Sequence, residues 1–263
     1  MLNSDRAPAA NQSRARGDFD YDRADVGYAH HRRPDPRIAA RIHAALGNAR
    51  TVLNVGAGSG SYEPADRHVV AVEPSASMRS KRPRHLAPAI RAAAESLPFD
   101  DGAFDAAMAI LTVHQWPDKA AGLREVRRVT RGPVVLLSFD WRAADRFWLA
   151  EYSPEHVAVD ASRFPTIEAL VEMLGGHVRV EEVPVPLDCT DGVTEAYYGR
   201  PERMLDPAVR AAQSVWGFVE AAAVQRFTER LAADLACGEW DRRFGHLRRQ
   251  PEFHGAMRLI VAD

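Results

Sequence analysis

The sequence predicts an α/β fold: a mostly parallel sheet of seven strands, helices on both faces, and a helical segment inserted before the last strand. Three observations predict it. Short apolar runs alternate with amphipathic stretches over residues 35–174, as parallel strands joined by crossover helices do. The first run, TVLNV at 51–55, leads straight into a turn with glycine at alternate positions, Gly56, Gly58 and Gly60. The second, HVVAV at 68–72, ends on one acid, Glu73.

Residues 1–18 are polar and are expected to form a mobile N-terminus. Residues 19–34 crowd aromatic, histidine and arginine side chains together. A helix follows at 35–47, with Pro34 and Pro36 at its start, Gly47 at its end, and Ile38, Ile42, Ala45 and Leu46 as its apolar stripe. Strand candidates lie at 51–55, 68–72, 89–92, 104–111 and 133–139. Between the last two, DKAAGLREVRRVT reads as a helix with Ala121, Leu123, Val126 and Val129 inward. Its Arg124, Arg127 and Arg128, with Arg131 just beyond, read as a solvated face. A helix at 164–174 and strands at 177–186 and 257–262 complete the pattern. Residues 187–255 are helical in character, and so long an insertion predicts a cap over the carboxyl ends of the strands, where open α/β sheets bind ligands. The expected organisation is one domain over 19–263, with 19–34 as lid and 187–255 as cap.

The 263 residues are enough for a full core, and a net charge of −2 with a pI near 6.6 excludes a protein that clamps long nucleic acid by phosphate neutralisation. Cys189 and Cys237 stand in no metal-ligand spacing, so neither a metal site nor a disulfide framework is expected. No run has the length of a membrane span, and the N-terminus lacks the apolar core of a signal peptide. The chain reads as a cytoplasmic monomer or homodimer with no membrane or nucleic-acid partner.

Glycine has no β-carbon, so the 56–60 turn can bring its backbone against a ligand. An acid at the tip of the neighbouring strand can accept two hydrogen bonds from a ribose diol. Together they describe a nucleoside site. A dinucleotide fingerprint places Gly or Ala where this chain has Ser61, which counts against a nicotinamide or flavin site. The run V-L-N-V-G-A-G-S-G resembles motif I of the class I S-adenosylmethionine-dependent methyltransferases. The resemblance extends through AESLPFDDGAFD at 94–105, His114-Gln115-Trp116 and LREVRRVTRGPVVLLSF, in the order of the small-molecule branch called methyltransferase type 11. Ubiquinone and menaquinone C-methyltransferases and many natural-product methyltransferases stand near it. It implies a Rossmann-like sheet, S-adenosyl-L-methionine as cofactor, and a small-molecule acceptor methylated at O, N or C in specialised or quinone-like metabolism.

The resemblance also implies roles. Gly56, Ala57 and Gly58 approach the methionine part of the cofactor, and Glu73 holds both ribose hydroxyls. Asn54 replaces the usual Asp, keeping an acceptor oxygen for the ammonium group without the charge. Adenine lies between Pro74 or Met78 and the loop carrying Ala94 and Glu95, while Leu97 and Phe99 pack. Leu111 and Thr112 lie beside the methionine part. Arg33 can pair with the cofactor carboxylate, and Tyr28 can form a lid.

Methyl transfer needs alignment and water exclusion, and a base only if the acceptor must lose a proton. His114, delivered by the fourth strand, is the candidate base or a pocket-shaping residue; His30 and His31 belong to the lid. Tyr152, His156, Tyr197 and Tyr198 can face the acceptor, and Trp141, Phe147, Trp148 and Tyr152 can build an aromatic wall. LTVHQW stands where base-modifying enzymes carry Asn- or Asp-Pro-Pro-Tyr, and neither cysteine follows a proline, so a small acceptor is favoured. Two alternatives remain: a nicotinamide-dependent oxidoreductase, and a cofactor-binding protein without methyl transfer.

Overall fold

The computed structural model describes residues 31–263. Tyr28, His30, the 1–18 segment and most of the expected lid lie outside the described residues.

Helix α1 (Pro36–Ala45) begins where Asp35 accepts a hydrogen bond from Arg37 N, with Pro36 in the first turn, and it buries Ile38 and Ile42. Strands β1 (Thr51–Val55) and β2 (His68–Val72) follow, then the short helix α2 (Ala76–Ser80), capped by Ser75. Next come β3 (Ala106–Ile110), helix α3 (Lys119–Val129) and β4 (Val134–Phe139). Helices α4 (Leu149–Tyr152), α5 (Pro154–Arg163) and α6 (Ile167–Leu174) lead to β5 (Val178–Glu182) and a two-residue strand β6 (Val185–Pro186). The remainder holds short 3-10 turns, α7 (Pro207–Ala211), α8 (Ala221–Ala236), α9 (Glu239–Phe244), β7 (Glu252–Phe253) and β8 (Met257–Ala262).

The main sheet has six strands in the order β2-β1-β3-β4-β8-β5, parallel as far as β4 and antiparallel at β8. The expected seventh, at 89–92, is reduced to one bridge between Val72 and Ile90. Pro88 has no N–H to extend a ladder, and Ile90 is 41% exposed, so this segment gains little by pairing further. The expected strand at 177–186 also divides: β5 joins the main sheet, whereas β6 pairs with β7.

Strand alternation builds two cores. Leu53, Ala107, Leu136 and Ile260 face α3 and α6, while Val52, Met108, Val135 and Leu259 face α1. Of the four arginines at 124–131, Arg128 in α3 pairs with Asp101 and Glu125 at 2.7 Å, and Arg131, just beyond the helix, with Asp105 at 2.7 Å. A third apolar cluster, including Phe147, Trp148, Tyr198, Phe227 and Trp240, joins residues 147–152 to the 197–253 region. The insertion therefore packs with residues 147–152 of the segment after β4. No helix among the described residues is long and apolar enough to cross a membrane.

Candidate functional site

The glycine turn leaves β1 and meets the end of β3. Gly56 has φ +68°, and a β-carbon there would lie 2.2 Å from Thr112 Oγ1, so only glycine permits this approach. Gly56 N and Ala57 N both donate to Val72 O at 3.0 Å, pinning the turn to the tip of β2. Glu73 stands at that tip, buried. Its Oε2 accepts from Gly58 N and its Oε1 from Ser75 N, each at 2.8 Å. Burial pushes the carboxyl above its ordinary value, against the opposing effect of those two donors. A carboxylate has about four lone-pair sites, so two remain for a vicinal diol after the backbone has taken its share.

Asn54, buried in β1, donates from Nδ2 to Glu63 Oε1 at 2.9 Å. Glu63 in turn holds Arg82 through two contacts of 3.0 Å, with both side chains 3% exposed. The amide nitrogen thus serves a buried ion pair, which leaves the carbonyl oxygen for a ligand.

One cavity gathers most of the residues that the sequence singles out. Asn54, Gly56, Ala57 and Gly58 line it from the turn, and Glu73, Pro74 and Met78 from the end of β2 and α2. Ala94 and Glu95 line it from the following loop, and Leu111, Thr112 and His114 from beyond β3. Leu111 sits at φ +52°, a left-handed conformation costly for a side-chain-bearing residue, and its N–H is held by Leu137 O at 2.9 Å. Leu97 is buried in the core, with Phe99 packed against it.

Arg33 is exposed and does not line the cavity; Arg32 does. Arg32 and Asp191 form an antiparallel bridge, and extended backbone turns successive side chains to opposite sides, so only one of the two arginines faces inward. Arg32 Nε donates to Asp191 Oδ1 at 2.6 Å, and Tyr62 donates its hydroxyl proton to Asp191 Oδ2 at 2.8 Å. Burial and the Asp191 charge push the Tyr62 phenol far above its ordinary value. Sequence reasoning missed this group because nothing local connects residues 129 positions apart.

His114 lies in the 3-10 turn Val113–Gln115, buried, its ring stacked on Phe164 at 4.0 Å and 19°. Burial, then the charges of Arg163, Lys119 and Arg32, hold its pKa well below the usual value, so the imidazole is neutral. Its Nδ1 is buried without a hydrogen-bond partner among the described residues. Beyond it the cavity is walled by Phe139, Trp141 and Phe164, and by Thr194, whose hydroxyl donates to Gln213 Oε1 at 2.8 Å.

Of the expected aromatic wall, only Trp141 lines the cavity; Phe147, Trp148 and Tyr152 belong to the third cluster. Tyr152 donates to Asp234 at 2.7 Å and Tyr198 to Gln250 O at 2.6 Å, so both hydroxyls serve internal packing. Tyr197 and His156 are buried away from the cavity lining, and burial takes the His156 pKa down to about 3. His31 contributes its carbonyl, which accepts from Gly192 N at 2.8 Å.

Residues 53–137 match the family model described as methyltransferase domain. The chain is similar to a protein of Anabaena variabilis described as a methyltransferase from an antibiotic biosynthesis pathway. Identity is 32% over 89% of this chain and 99% of that one, with a TM-score of 0.82. It shares its fold with a protein of Thermotoga maritima described as an S-adenosylmethionine-dependent methyltransferase, at 16% identity, 89% and 91% coverage and a TM-score of 0.53. A Bacillus halodurans protein described as a methyltransferase shares the fold likewise, at 16% identity, 85% and 96% coverage and a TM-score of 0.51. No curated protein matches the chain.

Proposed function

The chain belongs to the class I S-adenosylmethionine-dependent methyltransferases, and from that premise we propose that it methylates a small molecule bound beneath the segments 141–164 and 187–255. One observation carries this reading: a single cavity joins the glycine turn and Glu73 to a far end walled by Phe139, Trp141, Thr194 and Gln213. The residues fit the cofactor, since a β-carbon at Gly56 would close the cradle and Glu73 retains acceptor capacity for a diol. When bound, the cofactor supplies a methyl group on an electrophilic sulfonium.

The chain's own residues then do four things. Glu73 receives the ribose hydroxyls. Gly56, Ala57 and Gly58 approach the methionine part, with the Asn54 carbonyl and Arg32 toward its amino and carboxylate ends. Pro74, Met78, Ala94 and Glu95 enclose adenine. His114, neutral and weakly basic, shapes the acceptor end rather than removing a proton.

The reading includes a ubiquinone- and menaquinone-like or natural-product branch, which the motif order supports. It takes the protein as a cytoplasmic monomer or homodimer without a nucleic-acid partner, and the pairing of Arg128 and Arg131 with carboxylates supports the last point. Calorimetry is expected to show binding of S-adenosylhomocysteine and none of NAD(P)H. Labelled S-adenosylmethionine is expected to pass its methyl group to a small acceptor. Tight binding of the nicotinamide alone would overturn the assignment.

A further inference from the structure

The far end of the cavity is built from rings. Phe164 stacks on His114 at 4.0 Å and meets Phe139 edge-on at 5.7 Å and Trp141 at 6.0 Å. Phe139 and Trp141 are themselves 5.4 Å apart. Rings held against one another in this way present flat faces and edges, which suit a planar guest better than a puckered one.

Two buried polar atoms of these walls have no partner among the described residues, Trp141 Nε1 and His114 Nδ1. An indole N–H can only donate, and a neutral imidazole nitrogen can donate or accept. Leaving a buried polar group unsatisfied is costly, so each favours a ligand that supplies an oxygen. Other polar groups at this end are engaged within the protein: Thr194 donates to Gln213 Oε1 at 2.8 Å, and Ser214 Oγ accepts from Arg163 at 3.3 Å.

Charge narrows the guest further. Besides burial, the charges of Arg163, Lys119 and Arg32 each disfavour a proton on His114, and a cationic amine placed beside its ring would face the same three charges. Among the described residues Arg32 is the cation lining the cavity, and it is engaged with Asp191 at 2.6 Å. Asp160 also lines the cavity and lies 3.4 Å from Arg163. Among the described residues, a fixed carboxylate or phosphate on the guest would therefore lack a dedicated bidentate partner.

We infer that the acceptor is an uncharged, planar aromatic ring bearing a hydroxyl group, held face to ring by Phe164 and Trp141 and by hydrogen bonds to Trp141 Nε1 and His114 Nδ1. This rests on the proposed methyl transfer and names its substrate class. As the hydroxyl oxygen takes the methyl group it gives its proton to water, and the electron pair of the broken carbon–sulfur bond stays on sulfur. A phenol suits such a site without a strong base because it ionises near pH 10, whereas water, the model for an aliphatic hydroxyl, has a pKa near 15.7.

The test is equilibrium binding to the full-length protein saturated with S-adenosylhomocysteine. Three probes of one shape are compared: 2-naphthol, its saturated counterpart decahydro-2-naphthol, and the cationic 2-naphthylmethylamine. The naphthol is expected to bind about ten-fold or more tightly than the other two, the size of one good polar or stacking contact. Trp141→Phe keeps a ring and loses the N–H, and should weaken the naphthol about five-fold. Phe164→Leu should erase the preference for the flat probe. Both variants should bind S-adenosylhomocysteine as the parent does, which shows that they are folded. Equal binding of the saturated or cationic probe, or a preference unchanged in both variants, would overturn the inference. Failure of the parent protein to bind S-adenosylhomocysteine would instead overturn the methyl-transfer reading beneath it.

Discussion

Glu73 accepts from Gly58 N and Ser75 N while keeping lone pairs for a ligand, so removing it loosens the turn as well as the proposed ribose contact. Glu73→Ala should weaken S-adenosylhomocysteine by about 1–3 kcal/mol, measured by calorimetry; unchanged affinity would refute the ribose role. His114 is a different case. Its pKa is already far below the usual imidazole value, so it stays neutral throughout the working range. The acceptor's kcat/KM should therefore show no histidine-type inflection between about pH 6 and 9. His114→Ala should raise the acceptor KM while lowering kcat less than about ten-fold, whereas loss of a true base costs about 10²–10⁴.

At the scale of elements, the glycine turn and the end of β3 interlock. Gly56→Ala would put a β-carbon 2.2 Å from Thr112 Oγ1 at a φ of +68°. Left-handed strain alone costs about 1–2 kcal/mol, and the overlap adds to it. Denaturant unfolding should show a loss of about 2 kcal/mol or more, together with lost cofactor binding. Thr112→Ala in the same chain removes the overlapping Oγ1 and Cγ2 atoms but not the strain, so it should restore only part of the stability. Full restoration would show that φ at this position is unimportant. The elements also show where local patterning stops: the 89–92 run is apolar enough to read as a strand, yet its flanking proline and exposed position leave it one bridge.

In the whole molecule, Glu195 ties the insertion to the sheet. It is buried, its Oε1 accepts from Ala256 N at 2.6 Å, and Oε2 has no hydrogen-bond partner among the described residues. Burial raises its pKa from 4.5 to about 7, opposed by the Ala256 and Met257 N–H groups and by the Arg258 charge. Because the folded value lies above the unfolded one, the folded chain binds the proton more tightly. This contribution to stability is full below about pH 4.5, falls as pH rises, and is gone above about 7. The loss is on the order of 3 kcal/mol at 1.36 kcal/mol per unit. Glu195→Gln, which keeps an acceptor for Ala256 N, should flatten this dependence in melts from pH 5 to 8. An unaltered pH slope would refute the assignment.

The sequence by itself determined the alternating elements, the strand tips and the glycine-turn end of the cavity. Each depends on residues close in the chain: a glycine turn after an apolar strand, one acid after the next. Hence Gly56, Gly58 and Glu73 were legible by spacing alone, and the β1, β2 and β8 boundaries agree with their apolar runs. Only the tertiary structure decided which arginine turns inward, because that depends on the Arg32–Asp191 bridge across the fold. It also decided that Trp141 and Phe164 wall the cavity while Trp148 and Tyr152 fill a core. Aromatic residues have the same composition signal in either place. Their role is set by which segment packs against which, and that is a long-range property no local pattern encodes.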